Sequence, residues 1–203
     1  FTMLETLREY AGERLALSDD AAERHRQHLL YYLELAEQAE HALQGPQQAA
    51  WLDRLEIEHD NIRAALDWAL NQGATTAALR IGGAIWRFWI NHGHLEEGRR
   101  WMDRALAHAA DPAAPADHAR DAAAGRAWQA KALKAAGNLA YTCGDHPAAR
   151  RLLEESLAVS RQLGDGAGIA AALNNLGNVA RGQGDYTYAV ALLEESLAWK
   201  RML

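Results

Sequence analysis

The chain has 203 residues, 49% hydrophobic and 24% charged, long enough to bury a core in one elongated domain or two small ones. Its formal charge of −6 argues against direct binding of DNA or RNA, which needs a basic face to displace counterions, but leaves room for a local basic groove. No apolar run approaches the ~20 residues that cross a bilayer, and the lone cysteine, Cys143, excludes an internal disulfide and fits a reducing cytoplasm.

Ala, Leu, Glu and Arg dominate while Val, Ile and Phe are scarce, so an all-α fold is expected. The chain begins at Phe1 without an initiator Met and reads as a piece of a longer protein. Asp19 to Leu43 predicts one long amphipathic helix, stopped by Gly45-Pro46. Trp51 to Leu70 reads as two helices meeting near His59-Asp60, with Asp60 placed to cap the second. Ile85-Trp86 and Trp89 then precede a turn at Gly93-His94, with Gly98, Met102 and Ala105 on the next helix, which reads as a weaker copy of the repeat in the last third of the chain. The stretch DPAAPAD, Asp111 to Asp117, carries two prolines and reads as a loop.

The last third repeats itself. GNLAYTCGDHPAARRLLEESLAVSR from Gly137 matches GNVARGQGDYTYAVALLEESLAWKR from Gly177, an offset of 40 positions. Each copy reads as two helices around a Gly-Asp turn. Ala170, Leu173, Leu176, Gly177 and Ala180 share one helical face, and Ala189, Leu193, Ser196 and Leu197 form the expected inward stripe of the partner helix. A helical glycine costs about 1 kcal/mol relative to alanine, and close helix approach is the expected compensation at Gly137 and Gly177.

Leu173-x-x-Leu176-Gly177-x-x-Ala180, then Ala189, with Gly-Asp at the turn, resembles the tetratricopeptide repeat (TPR) signature. The extension LGDGAG, Leu163 to Gly168, resembles the longer TPR subclass of kinesin light chains and bacterial regulators. The resemblance implies a right-handed α-solenoid of antiparallel helix pairs. FTMLETLREYAGERL, WLDRLEIEHDNIRAAL and RFWINHGHLEEGRRWMDRAL resemble the region after the nucleotide-binding module of bacterial STAND-type (NB-ARC-like) ATPases, many of them LuxR-type or AfsR-type transcriptional regulators. That resemblance implies a winged-helix tail over 1–18, divergent TPR-like repeats over 19–110, a loop over 111–117 and two TPR units over 118–203, with further repeats beyond them. It also implies a sensor arm that receives a protein, peptide or small-molecule signal.

Nothing in the sequence builds an active site, so no enzyme activity and no cofactor are expected of this segment. There is no GxxxxGK[ST] phosphate loop, and Gly82-Gly83 lies in an apolar helical run where close packing is expected. Among nine histidines, His25 and His28 have helical spacing but no third ligand nearby, and His92 and His94 flank a turn where polar residues belong, so no metal is expected. Glu154-Glu155 and Glu194-Glu195 point about 100° apart on a helix and read as solvated charges. Trp86, Trp89, Trp101 and Trp128 read as packing residues.

The repeat alignment puts the polar residues Lys134, Asn138 and Tyr141 of one unit, and Asn174, Asn175, Asn178 and Arg181 of the next, on the groove side of the solenoid. Lys134, Asn138 and Asn175 fall where the carboxylate clamp of chaperone-binding TPRs holds a peptide C-terminus. Two readings stay open: specific peptide recognition, as in an independent scaffold or co-chaperone module, or a generic polar groove with another ligand. The apolar C-terminal helix, with Leu197, Trp199, Met202 and Leu203 and no polar cap after it, suggests self-association.

Overall fold

The computed structural model of the chain describes Ser18, residues 20–111 and residues 122–203. The expected winged-helix tail before Ser18, and the proline-containing loop beyond Asp111, lie outside the described residues. Nine α-helices and no strand occur among the described residues. They are α1 (Ala21–Ala42), α2 (Gln48–Ile57), α3 (His59–Asn71), α4 (Thr75–Asn91), α5 (Leu95–Ala110), α6 (Ala122–Thr142), α7 (His146–Leu163), α8 (Gly166–Gly182) and α9 (Tyr186–Met202).

The chain reverses where glycine permits a left-handed backbone and aspartate starts the next helix. Gly144 and Gly184 have φ of +79° and +82°, a conformation that costs any residue with a Cβ. Immediately after them, Asp145 and Asp185 accept from the backbone N–H groups of Ala148 and Tyr188, both at 3.1 Å. These caps satisfy donors that a helix start leaves without partners. Asp165 does the same for Gly168 at 3.0 Å, so the LGDGAG extension is absorbed into a tight turn and the first turn of α8.

The two copies repeat in side-chain detail. Ser156 donates to the Ala130 carbonyl and Ser196 to the Ala170 carbonyl, each at 2.7 Å and each from a buried hydroxyl. A Cβ on Gly137 would stand 2.7 Å from Leu153 Cγ, and one on Gly177 would stand 2.8 Å from Leu193 Cγ. Close approach is therefore what the helical glycines accomplish.

α4, α6 and α8 stack as an inner row, with α1 packed on α4 at one end. α5 wedges between α4 and α6, α7 between α6 and α8, and α9 lies on α8. One continuous core, from Leu29 in α1 to Leu192 in α9, joins the layers. The molecule is an all-α helical-repeat solenoid.

The α4–α5 pair is a repeat unit with its sizes exchanged. Aligning its Gly93 turn with Gly144 puts Trp89 where Ala140 stands and Gly98 where Ala149 stands. Trp89 is fully buried, and a Cβ on Gly98 would lie 2.7 Å from its ring. Volume lost on one helix is thus regained on the other, which keeps the core close-packed. Gly82 is likewise closed off by the Met102 sulfur, 2.4 Å from where its Cβ would be, so the expected packing role holds there.

Two local expectations need correction. Leu197 is half exposed, and Leu192 takes its place in the core, because Ala189, Leu192 and Ser196 form the face that meets α8. Glu58, not Asp60, occupies the N-cap position of α3. Its carboxylate accepts from Tyr32 Oη at 2.6 Å and Asn61 Nδ2 at 2.8 Å instead of capping, while Asp60 sits inside the first turn and accepts from Arg63 at 2.8 Å.

Candidate functional site

The inner row encloses a cavity of about 430 Å³. α6 contributes Lys131, Lys134 and Asn138, which are three or four apart and so share a face, and α8 contributes Asn174 and Asn175. α4 adds Trp86 and Arg87, α1 adds Glu40, and Lys200 closes one side.

Cations outnumber carboxylates on this wall. Arg87, Lys131, Lys134 and Lys200 face a single acid, Glu40, which is paired with Lys131 at 2.5 Å. Lys134 and Arg87 form no ion pair with any described residue; Arg87 lies over the Trp86 ring, 4.2 Å from its centroid. Burial, followed by the neighbouring Lys131 charge, holds the Lys134 ammonium below the usual lysine range; Glu40 pulls the other way, Arg87 adds a smaller lowering and Asp165 a still smaller opposing pull. Burial also lowers Arg87. Two half-buried cations with no ion-pair contact among the described residues are costly to desolvate, and an anion placed in the cavity would offset that cost.

The structure brings together Lys134, Asn138, Asn174 and Asn175 of the seven groove residues expected from sequence. Tyr141, Asn178 and Arg181 lie outside the cavity. Tyr141 packs beside His146, ring centroids 5.4 Å apart, and lies against Gly182, so it fills the seam between units. Arg181 is exposed near the end of α8. Trp86 is a correction in the other direction: it packs against the core as expected, yet also lines the cavity and carries Arg87. Glu40, Arg87 and Lys131 were missed by sequence reasoning. Only Lys131 left a signal, its i, i+3 spacing to Lys134.

Trp101 packs against the core as expected, whereas Trp128 does not and instead lines a neighbouring cavity with Lys131 and Lys134. Trp101 donates to Glu97 at 3.2 Å, and Trp128 lies under Arg80 at 4.9 Å. Glu154 and Glu155 accept from Arg150 and Arg151, each at 2.8 Å, on the solvated outer face as expected.

Antiparallel helix pairs stacked around an inner cavity define a helical-repeat binding scaffold. Residues 128–201 match the tetratricopeptide repeat family, whose members commonly bind proteins or peptides. Over 106 residues the chain is 35% identical to proteins of Mycobacterium bovis and of two strains of Mycobacterium tuberculosis, all provisionally named HTH-type transcriptional regulators. The match covers 52% of this chain and 12% of each relative. No helix among the described residues is long and apolar enough to cross a membrane.

Proposed function

We propose that this chain is the ligand-receiving arm of a larger signalling regulator and that its cavity takes an anionic group of a protein or peptide partner, with a terminal or side-chain carboxylate as the simplest candidate. The observation that carries the reading is the pair Lys134 and Arg87, half-buried in one cavity without ion-pair partners among the described residues and flanked by the amides of Asn138 and Asn175. Ammonium and guanidinium groups supply the charge, and the Asn side chains supply both donors and acceptors for a peptide main chain. The chain acts by binding and not by turnover.

The larger setting is a STAND-type ATPase of LuxR or AfsR kind, in which ligand capture by the repeat arm restrains or releases the nucleotide-binding module. Its supports are the three front-half motifs and the names of the mycobacterial relatives. A parent reading frame lacking a nucleotide-binding module upstream would sink this part. The second reading, a free-standing scaffold or co-chaperone, keeps the same cavity but requires strict recognition of a C-terminus, and Lys134, Asn138 and Asn175 in one cavity favour it.

Fluorescence anisotropy with labelled acidic peptides tests the cavity. A charge-assisted hydrogen bond is worth roughly 1.5–3 kcal/mol, so Lys134→Met and Arg87→Met should each weaken binding about 10-fold to 100-fold. Amidating the peptide C-terminus separates the readings: a loss comparable to Lys134→Met supports terminal-carboxylate recognition, and no loss supports side-chain carboxylates. Equal binding of neutral and acidic peptides, or unchanged affinity in both variants, would overturn the assignment.

A further inference from the structure

Away from the cavity, the corner between α2 and α3 meets the turn before α5. Glu56 lies near the end of α2, His59 opens α3, His92 follows α4 and His94 precedes α5. Glu56, His59 and His94 each offer a ligand atom, and the three atoms lie within 4.8 Å of one another. His94 Nε2 is 2.9 Å from Glu56 Oε2, and His92 Nδ1 is 3.2 Å from the same oxygen.

His59 makes this more than a surface ion pair. It is 5% exposed, and its Nε2 has no hydrogen-bond partner among the described residues. Glu97 Oε1 is 3.2 Å away, outside hydrogen-bond geometry. Both Glu97 oxygens are already held by Arg63, and Oε1 also accepts from Trp101. Attraction of Glu56 for two turn histidines explains His92 and His94. It does not explain a third imidazole buried behind them, its ring centroid 4.2 Å from that of His94.

We propose that Glu56, His59 and His94 form a binding site for a divalent transition-metal ion of the zinc class, with His92 or water as the fourth ligand. Two imidazoles and a carboxylate suit zinc and its neighbours and suit magnesium or calcium poorly. Metal–ligand distances of about 2.0–2.2 Å put tetrahedral ligand atoms about 3.3 Å apart. The existing spread therefore closes by about 1.5 Å at most, within reach of the partly exposed Glu56 and His94 side chains. Phe88 walls the site, its ring centroid 5.1 Å from that of His59 and 5.5 Å from that of His94. A bound ion would pin the divergent front corner to the first repeat turn.

The test uses the tag-free full chain stripped with EDTA, then titrated with zinc chloride by calorimetry and followed by thermal melting. One zinc per chain and a raised melting temperature are expected, since a ligand bound only by the folded state stabilises it; magnesium chloride should have no effect. Glu56→Gln combined with His94→Gln should weaken zinc binding by more than about 10-fold while His25→Gln combined with His28→Gln leaves it intact. No melting shift, or zinc binding that survives the first pair of changes, would overturn the proposal, as would binding lost in the second pair. Should the first variant not fold, cobalt substitution in the unaltered chain decides: visible bands of tetrahedral coordination support the site, and their absence refutes it.

Discussion

Gly137→Ala and Gly177→Ala place the same methyl group at equivalent points of the two repeats, yet their costs should differ. Each gains about 1 kcal/mol of helix propensity. Each also drives a Cβ to within 2.7 or 2.8 Å of a leucine Cγ, Leu153 or Leu193, and overpacking of this kind costs about 1–3 kcal/mol. The difference lies in how far the leucine can retreat. Leu153 is fully buried, with α6, α7 and α8 packed around it, so the upper end of the range applies and Gly137→Ala should lose about 2 kcal/mol net. Leu193 is only partly buried on α9 and can shift towards its exposed side, so Gly177→Ala should be close to neutral. For a chain of this size ~2 kcal/mol corresponds to about 4–8 °C in melting temperature, readable by far-UV circular dichroism. Leu153→Ala costs about 2–5 kcal/mol alone, but combined with Gly137→Ala it should cost less than the sum by about 1–2 kcal/mol, because it removes the clashing atoms. A stabilised Gly137→Ala, a costlier Gly177→Ala, or an additive double variant would refute the close-approach argument.

Gly98→Ala should cost at least as much as Gly137→Ala, about 2 kcal/mol net, because its Cβ meets the rigid ring of fully buried Trp89; urea unfolding checks this. Lys134→Met should raise stability at neutral pH by about 1 kcal/mol while it weakens anion binding about 10-fold to 100-fold. The sign follows from the lowered folded-state pKa of Lys134: burying the protonated form is penalised at neutral pH, and stability is regained as pH rises from the folded-state pKa towards the unfolded one. Urea unfolding at neutral and alkaline pH should therefore show a difference between wild type and variant that shrinks on the alkaline side, and anion binding should weaken over the same rise. The outer face of α9 exposes Tyr186, Val190 and Leu197, by 67%, 53% and 50%, so sedimentation should reveal concentration-dependent self-association that Val190→Glu with Leu197→Glu removes; a monomer at high concentration in the unaltered chain would refute it.

The sequence by itself determined the parts governed by local rules and by repetition. Gly144-Asp145 and Gly184-Asp185 announce their turns because a left-handed backbone and an N-cap each call for a particular residue type. The 40-residue offset then set the register of α6 to α9, and with it the faces carrying Lys134, Asn138, Asn174 and Asn175. Periodicity also found α1 to α5 and read α4 and α5 as a weaker copy of the later repeats, weaker because exchanging Trp89 and Gly98 for Ala140 and Ala149 conserves summed volume and not residue type.

Tertiary structure alone decided what completes each site. Glu40 belongs to the cavity because α1 packs on α4, a contact that no spacing within either helix encodes. The absence of an ion-pair partner for Lys134 and Arg87 among the described residues, and the burial of His59 behind Glu56 and His94, depend on the positions of groups far apart along the chain. Charge pairing and ligand geometry act through distances in space, whereas a single sequence records only residue type and order.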